Sequence, residues 1–372
     1  MGFFVLAMRI KFLLSLLVSA VFIFLAFRGI DYKLMLAALR HADYLWLLPS
    51  IVFMFFSHWL RAVRWRYFME PIKRVDTPTL FAATMIGYYG NNVFPLRAGE
   101  VLRAYSIGKA AGVSRMASFA TIIVERLIDI FSLLLLLAVS VGFHDYPDWI
   151  EKGALLLFFF TAACTVFMVF LMERTAQTLR FIDRITSPFP QRVRELVQKL
   201  LASFLEGFGI FKKSEHFWTI AWQSVAIWLL YAGTIYFTLE AFELNDRHQL
   251  PIGASFVILV MISLGIMVPA APGYVGSFHW ICQQALLLFN KPGVPEITAS
   301  TALSFAVILH ISNFIPVTLV GFYYYYKQQV NFREAVAQAE AQESGANSPP
   351  PDAQGPSQSF NPPATSYSSS HE

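Results

Sequence analysis

The chain has 372 residues, of which 56% are hydrophobic and only 14% are charged, and its formal net charge is +4. Soluble domains carry about 25% charged residues, so this composition excludes an ordinary soluble globular protein and predicts a membrane protein. Apolar runs long enough to cross a hydrocarbon core, which takes about 20 residues, recur along most of the chain. They predict an all-α, multi-pass helix bundle.

The apolar runs predict about six full membrane spans. They lie near residues 12–27, 45–60, 116–143, 153–172, 217–242 and 298–326. The first run follows Arg9 and Lys11, as a signal peptide would. Its small-residue cleavage site, Val18-Ser19-Ala20, is weak and lies inside the apolar core, so we expect a retained first helix rather than a cleaved leader.

Two further stretches, 79–113 and 251–290, begin like membrane helices but are interrupted by proline, glycine and polar residues. The interruptions read NNVFPLRAGE and VPAAPGYVGSFH. Irregular backbone persists at membrane depth only against protein or a wet cavity, because each unpaired N–H or C=O costs several kcal/mol there. We therefore expect two re-entrant broken hairpins beside a polar cavity. Their predicted breaks are Pro95, Gly99, Pro269, Pro272, Gly273 and Gly276.

The basic residues favour a topology in which both broken stretches leave the membrane on the side that they entered. The segments that this topology places in the cytoplasm hold 21 of the 28 Lys and Arg residues, against 6 in the outer loops. Cytoplasmic loops are rich in Lys and Arg, so we expect both termini to be cytoplasmic. The units 45–143 and 217–326 then have the same element order in opposite orientations, which predicts inverted repeats around a transport site near the bilayer midplane. The alternative is a chance likeness of two proline-containing helix pairs.

The remaining segments are assigned by composition. The predicted transmembrane domain covers residues 1–330. Within it, segment 173–216 mixes apolar and basic residues at helical spacing, which suits an amphipathic helix on the anionic inner leaflet or a linker between the repeats. Residues 331–372 end in a Ser/Pro-rich sequence without apolar periodicity, which predicts a disordered tail.

Polar residues at the first break are candidates for binding a lipid headgroup. Asn91 and Asn92 can supply amide groups. Arg97, Glu100 and Arg103 are spaced by three residues, so they share one face of a helix. Arginine binds phosphate in a bidentate manner, so this stripe could hold a lipid phosphate. Alternatively, the arginines extend toward the membrane surface and only fix the orientation of the chain.

Three charges lie inside a predicted span: Glu125, Arg126 and Asp129. Each charge at the bilayer centre costs roughly 2.5–3.5 kcal/mol, so all three require partners. Arg126 and Asp129 can pair within the helix, whereas Glu125 would repel Asp129 unless a further cation, from Arg97 or Arg103, approaches. The group forms part of either a substrate or ion path, or an ion cluster that holds two helices together.

Histidines and cysteines give weaker signals. His279 and His310 could relay protons, because histidine titrates near neutral pH, or they could bond to backbone carbonyl groups. His58 and Arg61, at the end of the second span, are predicted to be interfacial. Neither cysteine has metal-ligand spacing, and no GxxxxGK[ST] phosphate loop is present. We therefore expect no metal, no cofactor and no use of nucleotide hydrolysis by this chain.

The motifs taken together resemble a known family. The run NNVFPLRAGEVLR, followed by VERLID and, far downstream, by PAAPGYVGSFH, is similar to the lysylphosphatidylglycerol synthase transmembrane region, also described as the flippase-like domain family. The match covers roughly residues 10–330. The resemblance implies a polytopic, bacterial-type inner-membrane protein associated with moving or modifying phospholipids and with polyprenyl-linked sugars. It marks as site residues Asn92, Pro95, Arg97, Gly99, Glu100, Arg103, Glu125, Arg126, Asp129, Pro269, Pro272, Gly273 and Gly276.

The chain departs from that family pattern in two respects. Tyr274 and His279 stand where relatives usually carry a second glycine and a closing glutamate. Members that synthesise aminoacyl lipids have a large soluble domain after the membrane part, whereas here a short Ser/Pro tail follows. We therefore do not expect lipid aminoacylation by this polypeptide alone.

The function that these features favour is a lipid transporter or flippase. In this hypothesis Arg97, Arg103 and Arg126 hold the phosphate of a phospholipid or polyprenyl-phosphate lipid. One alternative is a non-catalytic membrane partner of a separate lipid synthase or glycosyltransferase. Another is a headgroup transferase that uses Glu125 or Asp129 as a general base. No catalytic residue and no nucleic-acid partner is predicted, so the sequence favours a protein that is not an enzyme.

Overall fold

The computed structural model of the protein describes residues 2–94, 98–141, 216–266 and 272–330, together with isolated residues between 152 and 191. Every element in the continuous ranges is helical, which confirms the all-α prediction. The helices are α1 (Gly2–Phe27), α2 (Tyr32–His41), α3 (Leu47–Met69), α4 (Thr77–Val93), α5 (Gly99–Ala111), α6 (Arg115–Val141), α7 (Phe217–Ala241), α8 (Leu244–Arg247), α9 (Ala254–Gly265), α10 (Ser277–Leu287) and α11 (Ala299–Lys327), with 3-10 turns at Tyr44–Trp46 and Pro272–Tyr274. The predicted span 153–172 and linker 173–216 lie largely, and the tail 331–372 wholly, outside the described residues.

Three of the described helices are long and apolar enough to cross a membrane. They are Tyr44–Met69, which includes α3, and the helices α7 and α11. The segments Leu14–Phe27 and Tyr32–His41, bent by 86° at their junction, satisfy the same criterion as a pair. The described ranges therefore hold three or four candidate spans. Helix α6 is 27 residues long but carries three charges near its centre, and the predicted count of six spans stays a prediction.

Helix α3 extends nine residues beyond the predicted end of its span at residue 60, as far as Met69. Arg61 and Arg64 lie in this added part, and both are almost wholly buried. His58 is also buried, with 5% of its surface exposed. The sequence did not indicate that His58 and Arg61 are buried, because the apolar run ends at these residues while the helix and its packing continue. Their position at the membrane interface stays a prediction.

Helix α4 begins at a side-chain cap. Asp76 accepts a hydrogen bond from the backbone N–H of Thr79 at 3.0 Å and another from its hydroxyl at 3.0 Å. Pro78 occupies the first turn, where a missing N–H does no harm. These local signals place the start of the first broken stretch.

Asp76→Ala is expected to lower the free energy of unfolding by about 1 kcal/mol, because the helix loses its N-cap. The hydrogen bonds from Thr79 hold the pKa of the Asp76 carboxyl below its usual range. This stabilisation is thus present above about pH 4, the usual aspartate pKa, and is lost as the pH falls through the lowered pKa. Thermal unfolding at several pH values should show a difference between wild type and Asp76→Ala that shrinks in acid. If the difference in thermal stability between wild type and Asp76→Ala does not change with pH, the ionised carboxylate of Asp76 does not cap the helix.

Helices α4 and α5 pack against each other in antiparallel directions. Gly87 and Gly90 of α4 lie opposite Gly99 of α5, and a Cβ atom at Gly99 would overlap the Gly87 carbonyl oxygen. The amine of Lys73, before α4, donates a hydrogen bond to the carbonyl oxygen of Ala111, at the end of α5, at 2.7 Å. The chain therefore leaves this hairpin beside the point where it entered.

Helices α9 and α10 form a second hairpin with its ends tied in the same way. Gly265 of α9 packs on the side chain of Ile281 in α10. The Nδ1 atom of His248, before α9, lies 2.7 Å from the carbonyl oxygen of Pro295, after α10. Both broken stretches thus turn back on themselves.

The second turn uses left-handed backbone angles. Gly273 and Gly276 have φ angles of 71° and 93°, which glycine adopts at little cost. Tyr274, which stands where the family pattern has glycine, has φ of 58°. Pro95 and Pro269 lie outside the described residues, so their predicted part in the breaks stays a prediction.

The helices around these hairpins pack in two matching sets. The first set is α3 to α6, and the second is α7 with α9, α10 and α11. In the first set, the hairpin α4–α5 packs on α3 and α6. In the second set, α9–α10 packs on α7 and α11 in the same way. The two sets also contact each other, α4 with α11 and α9 with α6. Helices α3 and α7 contact each other in antiparallel directions, since Ser50 bonds to Thr234 at 3.0 Å and Arg64 to Ser224 at 2.7 Å.

The two largest clusters of buried apolar side chains each lie mainly within one set of helices. The larger lies mainly among α7, α9, α10 and α11, and the other among α3, α4, α5 and α6. Large apolar side chains such as Phe24, Trp218 and Leu319 remain more than 60% exposed, as suits a surface that faces lipid. In the first set, polar side chains are buried where α3 and α6 pack on the α4–α5 hairpin.

Candidate functional site

Five charged side chains meet in a buried ion cluster between α3, α5 and α6. Its members, each at most 6% exposed, are Arg61, Arg64, Arg103, Glu125 and Asp129. Arg61 Nη1 bridges the two carboxylates, at 2.6 Å from Glu125 Oε1 and 2.5 Å from Asp129 Oδ2. Arg64 Nη2 lies 2.6 Å from Asp129 Oδ1, and Arg103 Nη2 lies 2.9 Å from Glu125 Oε2.

Helical spacing explains how these residues converge. Glu125 and Asp129 are four apart on α6, while Arg61 and Arg64 are three apart on α3, so each pair projects from one helix face. The repulsion expected between the two carboxylates is offset by Arg61. Arg103 supplies the further cation that Glu125 was predicted to need.

Sequence reasoning did not single out Arg64 and did not predict that Arg61 is buried against two carboxylates. The available signal was the spacing of Ser57, Arg61 and Arg64 along one face of a helix that is otherwise apolar. The two arginines were counted instead among the basic residues of a cytoplasmic loop, because the apolar run ends before them. A search for polar residues at helical spacing beyond the end of the run would have found them.

Neighbouring groups hold the buried ion cluster in place. The guanidinium carbon of Arg103 lies 3.8 Å from the centre of a Trp65 ring, a cation–π contact that is strongest when desolvated. Arg64 Nη1 donates to Ser224 Oγ at 2.7 Å, and Trp65 Nε1 donates to Thr121 Oγ1 at 2.9 Å. The cluster therefore ties α3, α5, α6 and α7 together.

The buried ion cluster has more positive than negative charge. Three guanidinium groups face two carboxylates. The Nε atoms of Arg61, Arg64 and Arg103 are also buried without a hydrogen-bond partner among the residues that the structure describes. Unpaired buried donors are costly, and excess positive charge in a low dielectric attracts an anion.

A small polar cleft lies beside this cluster, between α4, α5 and α6. Its walls are formed by Thr84, Gly87, Tyr88, Asn91, Gly99, Glu100, Arg103 and Arg126. Arg103 belongs both to the cleft and to the buried ion cluster. The excess positive charge of the cluster thus extends to the wall of this cleft.

Arg126 is held only loosely. Its side chain is 40% exposed; Nη1 lies 3.5 Å from Asp129 Oδ2 and Nε lies 3.8 Å from Glu100 Oε1. Both distances exceed the roughly 2.7–2.9 Å of a strong charge-assisted hydrogen bond, and Nε lacks a hydrogen-bond partner among the described residues. The predicted pairing of Arg126 with Asp129 is present, yet it leaves the guanidinium able to bind a further group.

The two asparagines have different partners. Asn91 Oδ1 accepts a hydrogen bond from the backbone N–H of Gly99 at 2.9 Å, which closes the hairpin and occupies a donor at the start of α5. Asn92 Nδ2 donates to Thr318 Oγ1 on α11 at 2.7 Å. Asn91 therefore lines the cleft, while Asn92 connects the hairpin to the second set of helices.

His279 lies at the turn of the second hairpin. Its Nδ1 accepts a hydrogen bond from the backbone N–H of Gly276 at 3.3 Å, and its ring centre lies 4.8 Å from that of His310. His310 Nε2 lies 2.9 Å from the carbonyl oxygen of Gly273. No described contact connects His279 to the polar cleft, and its role in proton coupling stays a prediction.

The structure thus brings together seven of the predicted site residues, which are Asn91, Gly99, Glu100, Arg103, Glu125, Arg126 and Asp129. Arg97 lies outside the described residues. Within the described ranges, no three His, Cys, Asp or Glu side chains converge as a metal site would require.

Comparison with known proteins finds one matching family and several relatives. The sequence profile described as "Lysylphosphatidylglycerol synthase TM region" matches residues 12–321. The chain is 26% identical over 280 residues to a UPF0104 membrane protein of Methanothermobacter thermautotrophicus, covering 71% of this chain and 80% of that protein. It is 22% identical over 320 residues to UPF0104 membrane protein MJ1595 of Methanocaldococcus jannaschii, covering 82% and 93%.

A third relative is longer than this chain. Glycosyltransferase AglD of Haloferax volcanii is 24% identical over 343 residues, which are 84% of this chain but only 53% of AglD. The chain thus spans about half the length of that relative. No solved structure matches the chain.

Proposed function

The chain belongs to the lysylphosphatidylglycerol synthase TM region family, and from this premise we propose that it binds and moves a phospholipid or polyprenyl-phosphate-linked lipid through the polar cleft. The membership confirms the resemblance based on the run NNVFPLRAGEVLR. The observation that carries the proposal is the pair of cleft arginines, Arg103 and Arg126, whose Nε atoms lack partners among the described residues. Guanidinium groups bind phosphate strongly, and the acyl chains of the lipid can stay in the bilayer.

The proposed topology is an inverted repeat with two re-entrant hairpins. The matching packing of the two helix sets supports it, as do the antiparallel contact of α3 with α7 and the tied ends of both hairpins. Such repeats place substrate sites near the bilayer midplane, at discontinuous helices. The bias of basic residues supports cytoplasmic termini in a bacterial-type inner membrane.

The headgroup and the buried ion cluster have separate tasks in this proposal. Within the cluster, Arg103 Nη2 lies 2.9 Å from Glu125 Oε2. This contact keeps the guanidinium group of Arg103 in position. Arg126, which is loosely paired, meets the phosphate and releases it again, since a site for transport must not bind its substrate too tightly.

Arg126→Gln is expected to slow movement of an acyl-labelled phosphatidylglycerol between the leaflets of proteoliposomes about tenfold. A charge-assisted hydrogen bond contributes roughly 1.5–3 kcal/mol, and about 1.4 kcal/mol corresponds to a factor of ten. The matched control is Arg74→Gln, because Arg74 is 87% exposed and pairs with Glu70 at 3.0 Å away from the cleft. The rate of lipid movement is followed by chemical quenching of the outer-leaflet label.

Two results would contradict the proposal. One is a wild-type rate equal to that of protein-free liposomes, both for phosphatidylglycerol and for a labelled polyprenyl phosphate. The other is an Arg126→Gln variant that is folded, as judged by its elution as a single species, and moves lipid as fast as wild type.

The similarity to AglD favours a second candidate, a membrane partner that presents a lipid to a glycosyltransferase. Its test is glycosylation of a polyprenyl phosphate by a separate glycosyltransferase, with and without this protein in the same membrane. A lipid transferase is less well supported. Glu125 and Asp129 are both held by buried arginines, so neither is free to act as a general base.

A further inference from the structure

We propose that the polar cleft selects headgroups that carry a hydrogen-bond donor next to the phosphate, and that Glu100 recognises this donor. The donor is a hydroxyl, as in a glycerol or sugar, or an ammonium group. This inference rests on the proposed lipid-moving function and specifies the class of headgroup at the same site.

The cleft has a donor side and an acceptor side. Arg103 and Arg126 supply guanidinium donors, while Glu100, from the first turn of α5, brings a carboxylate to the same space. A site for phosphate alone would be weakened by a carboxylate, because like charges repel. A headgroup with a donor beside its phosphate turns the same carboxylate into an attractive partner, so Glu100 both favours such lipids and disfavours those without a donor.

The contacts that Glu100 makes within the protein are long, so its carboxylate oxygens can accept further hydrogen bonds. Asn91 Nδ2 lies 3.5 Å from Oε1, and Arg126 Nε lies 3.8 Å from the same atom. Among the described residues, no hydrogen bond reaches Oε2 of Glu100. By contrast, buried Glu125 has arginine nitrogens at 2.6 and 2.9 Å. A carboxylate has about four lone-pair positions, so Glu100 has room for a donor from the ligand.

The orientation of Asn91 supports the assignment to Glu100. Its Oδ1 is engaged by the backbone N–H of Gly99 at 2.9 Å, so the amide nitrogen points toward Glu100. One acceptor position of Asn91 Oδ1 is therefore occupied, and Glu100 is the charged acceptor on this wall. Tyr88 also lines the cleft, and its hydroxyl lies 3.2 Å from the hydroxyl of Tyr231.

The experiment compares three acyl-labelled lipids in proteoliposomes: phosphatidylglycerol, phosphatidylethanolamine and phosphatidylmethanol. Phosphatidylmethanol has the same charge as phosphatidylglycerol but no donor on its headgroup. Wild type is expected to move at least one of the donor-bearing lipids about fivefold faster than phosphatidylmethanol. The faster of the two shows whether the donor is a hydroxyl or an ammonium group.

Glu100→Gln is expected to reduce this preference to less than about twofold. The donor-bearing lipid should slow, and phosphatidylmethanol should keep its rate or gain, because the repelling charge is gone. The matched control is Glu70→Gln, an acid outside the cleft that pairs with Arg74, which should keep the wild-type preference.

The outcomes separate the two levels of the proposal. Equal rates for all three lipids in wild type overturn the donor selection and leave lipid movement intact. A wild-type preference that survives in Glu100→Gln overturns the assignment to Glu100. Movement of none of the three lipids overturns the proposed movement of phospholipids, and this inference with it. The wild-type comparison does not depend on the folding of any variant.

Discussion

Glu125→Gln is expected to lower the free energy of unfolding by about 3–5 kcal/mol, the usual cost of removing one partner from a buried ion pair. Glu125 is wholly buried and accepts hydrogen bonds from Arg61 at 2.6 Å and Arg103 at 2.9 Å. Without its charge, three buried guanidinium groups would face the single carboxylate of Asp129. Thermal unfolding of the detergent-purified protein, with recovery of a single species by size-exclusion chromatography, measures the loss.

The control for this variant is Glu70→Gln, whose carboxylate is 34% exposed and pairs with Arg74. Exposed pairs contribute at most about 1 kcal/mol, so this variant should remain close to wild type. A small effect of Glu125→Gln, comparable with that of Glu70→Gln, would show that the buried ion cluster contributes little to the fold.

A double variant tests whether charge, rather than shape, causes the loss. The free energy of unfolding lost in Arg103→Gln combined with Glu125→Gln is expected to be smaller than the sum of the losses in the single variants. The reason is that the double variant also removes a cation that loses its partner in Glu125→Gln. Residues in direct contact commonly show coupling of 0.5–3 kcal/mol. Additive losses would indicate that Arg103 and Glu125 contribute independently.

Gly99→Ala is expected to destabilise the protein by about 1–3 kcal/mol, the usual range for overpacking. The added Cβ would overlap the Gly87 carbonyl oxygen and lie 2.5 Å from Asn91 Oδ1. Backbone atoms cannot move aside as a flexible side chain does, so α5 must shift away from α4. Because both helices line the polar cleft, lipid movement should slow as well.

The matched control is Gly153→Ala. An added Cβ at Gly153 meets no atom within 4 Å among the described residues, so this variant should be neutral or slightly stabilising, as expected for Ala in place of Gly in a helix. Thermal unfolding of both variants, together with the leaflet assay, compares them. Equal stability of Gly99→Ala and wild type would mean that the close approach of α4 and α5 is not required.

Several features followed from local patterns in the sequence. The helices at 217–241 and 299–327 begin and end within a residue of the predicted spans at 217–242 and 298–326, because hydrophobic length is a property of contiguous residues. The first break was also located, although α4 continues through Asn91 and Asn92 to Val93. Those asparagines therefore occupy the last helical turn rather than the loop.

Two contacts at the candidate site were predicted, one from spacing along a single helix and one from the need of Glu125 for a further cation. Arg126 and Asp129 are three residues apart, and their contact was predicted. Arg61 lies 64 positions before Glu125 in the chain, and no periodicity connects the two.

The sequence by itself determined that this protein is a helical membrane protein with two interrupted stretches, since composition, apolar length and proline or glycine breaks act locally. Only the tertiary structure decided which charges meet. The packing of α3 against α6 brings Arg61 and Arg64 to Glu125 and Asp129, and the folding back of α5 onto α4 brings in Arg103. The physical reason is that burial forces each charge to find a partner, but which partner it finds depends on how distant helices pack.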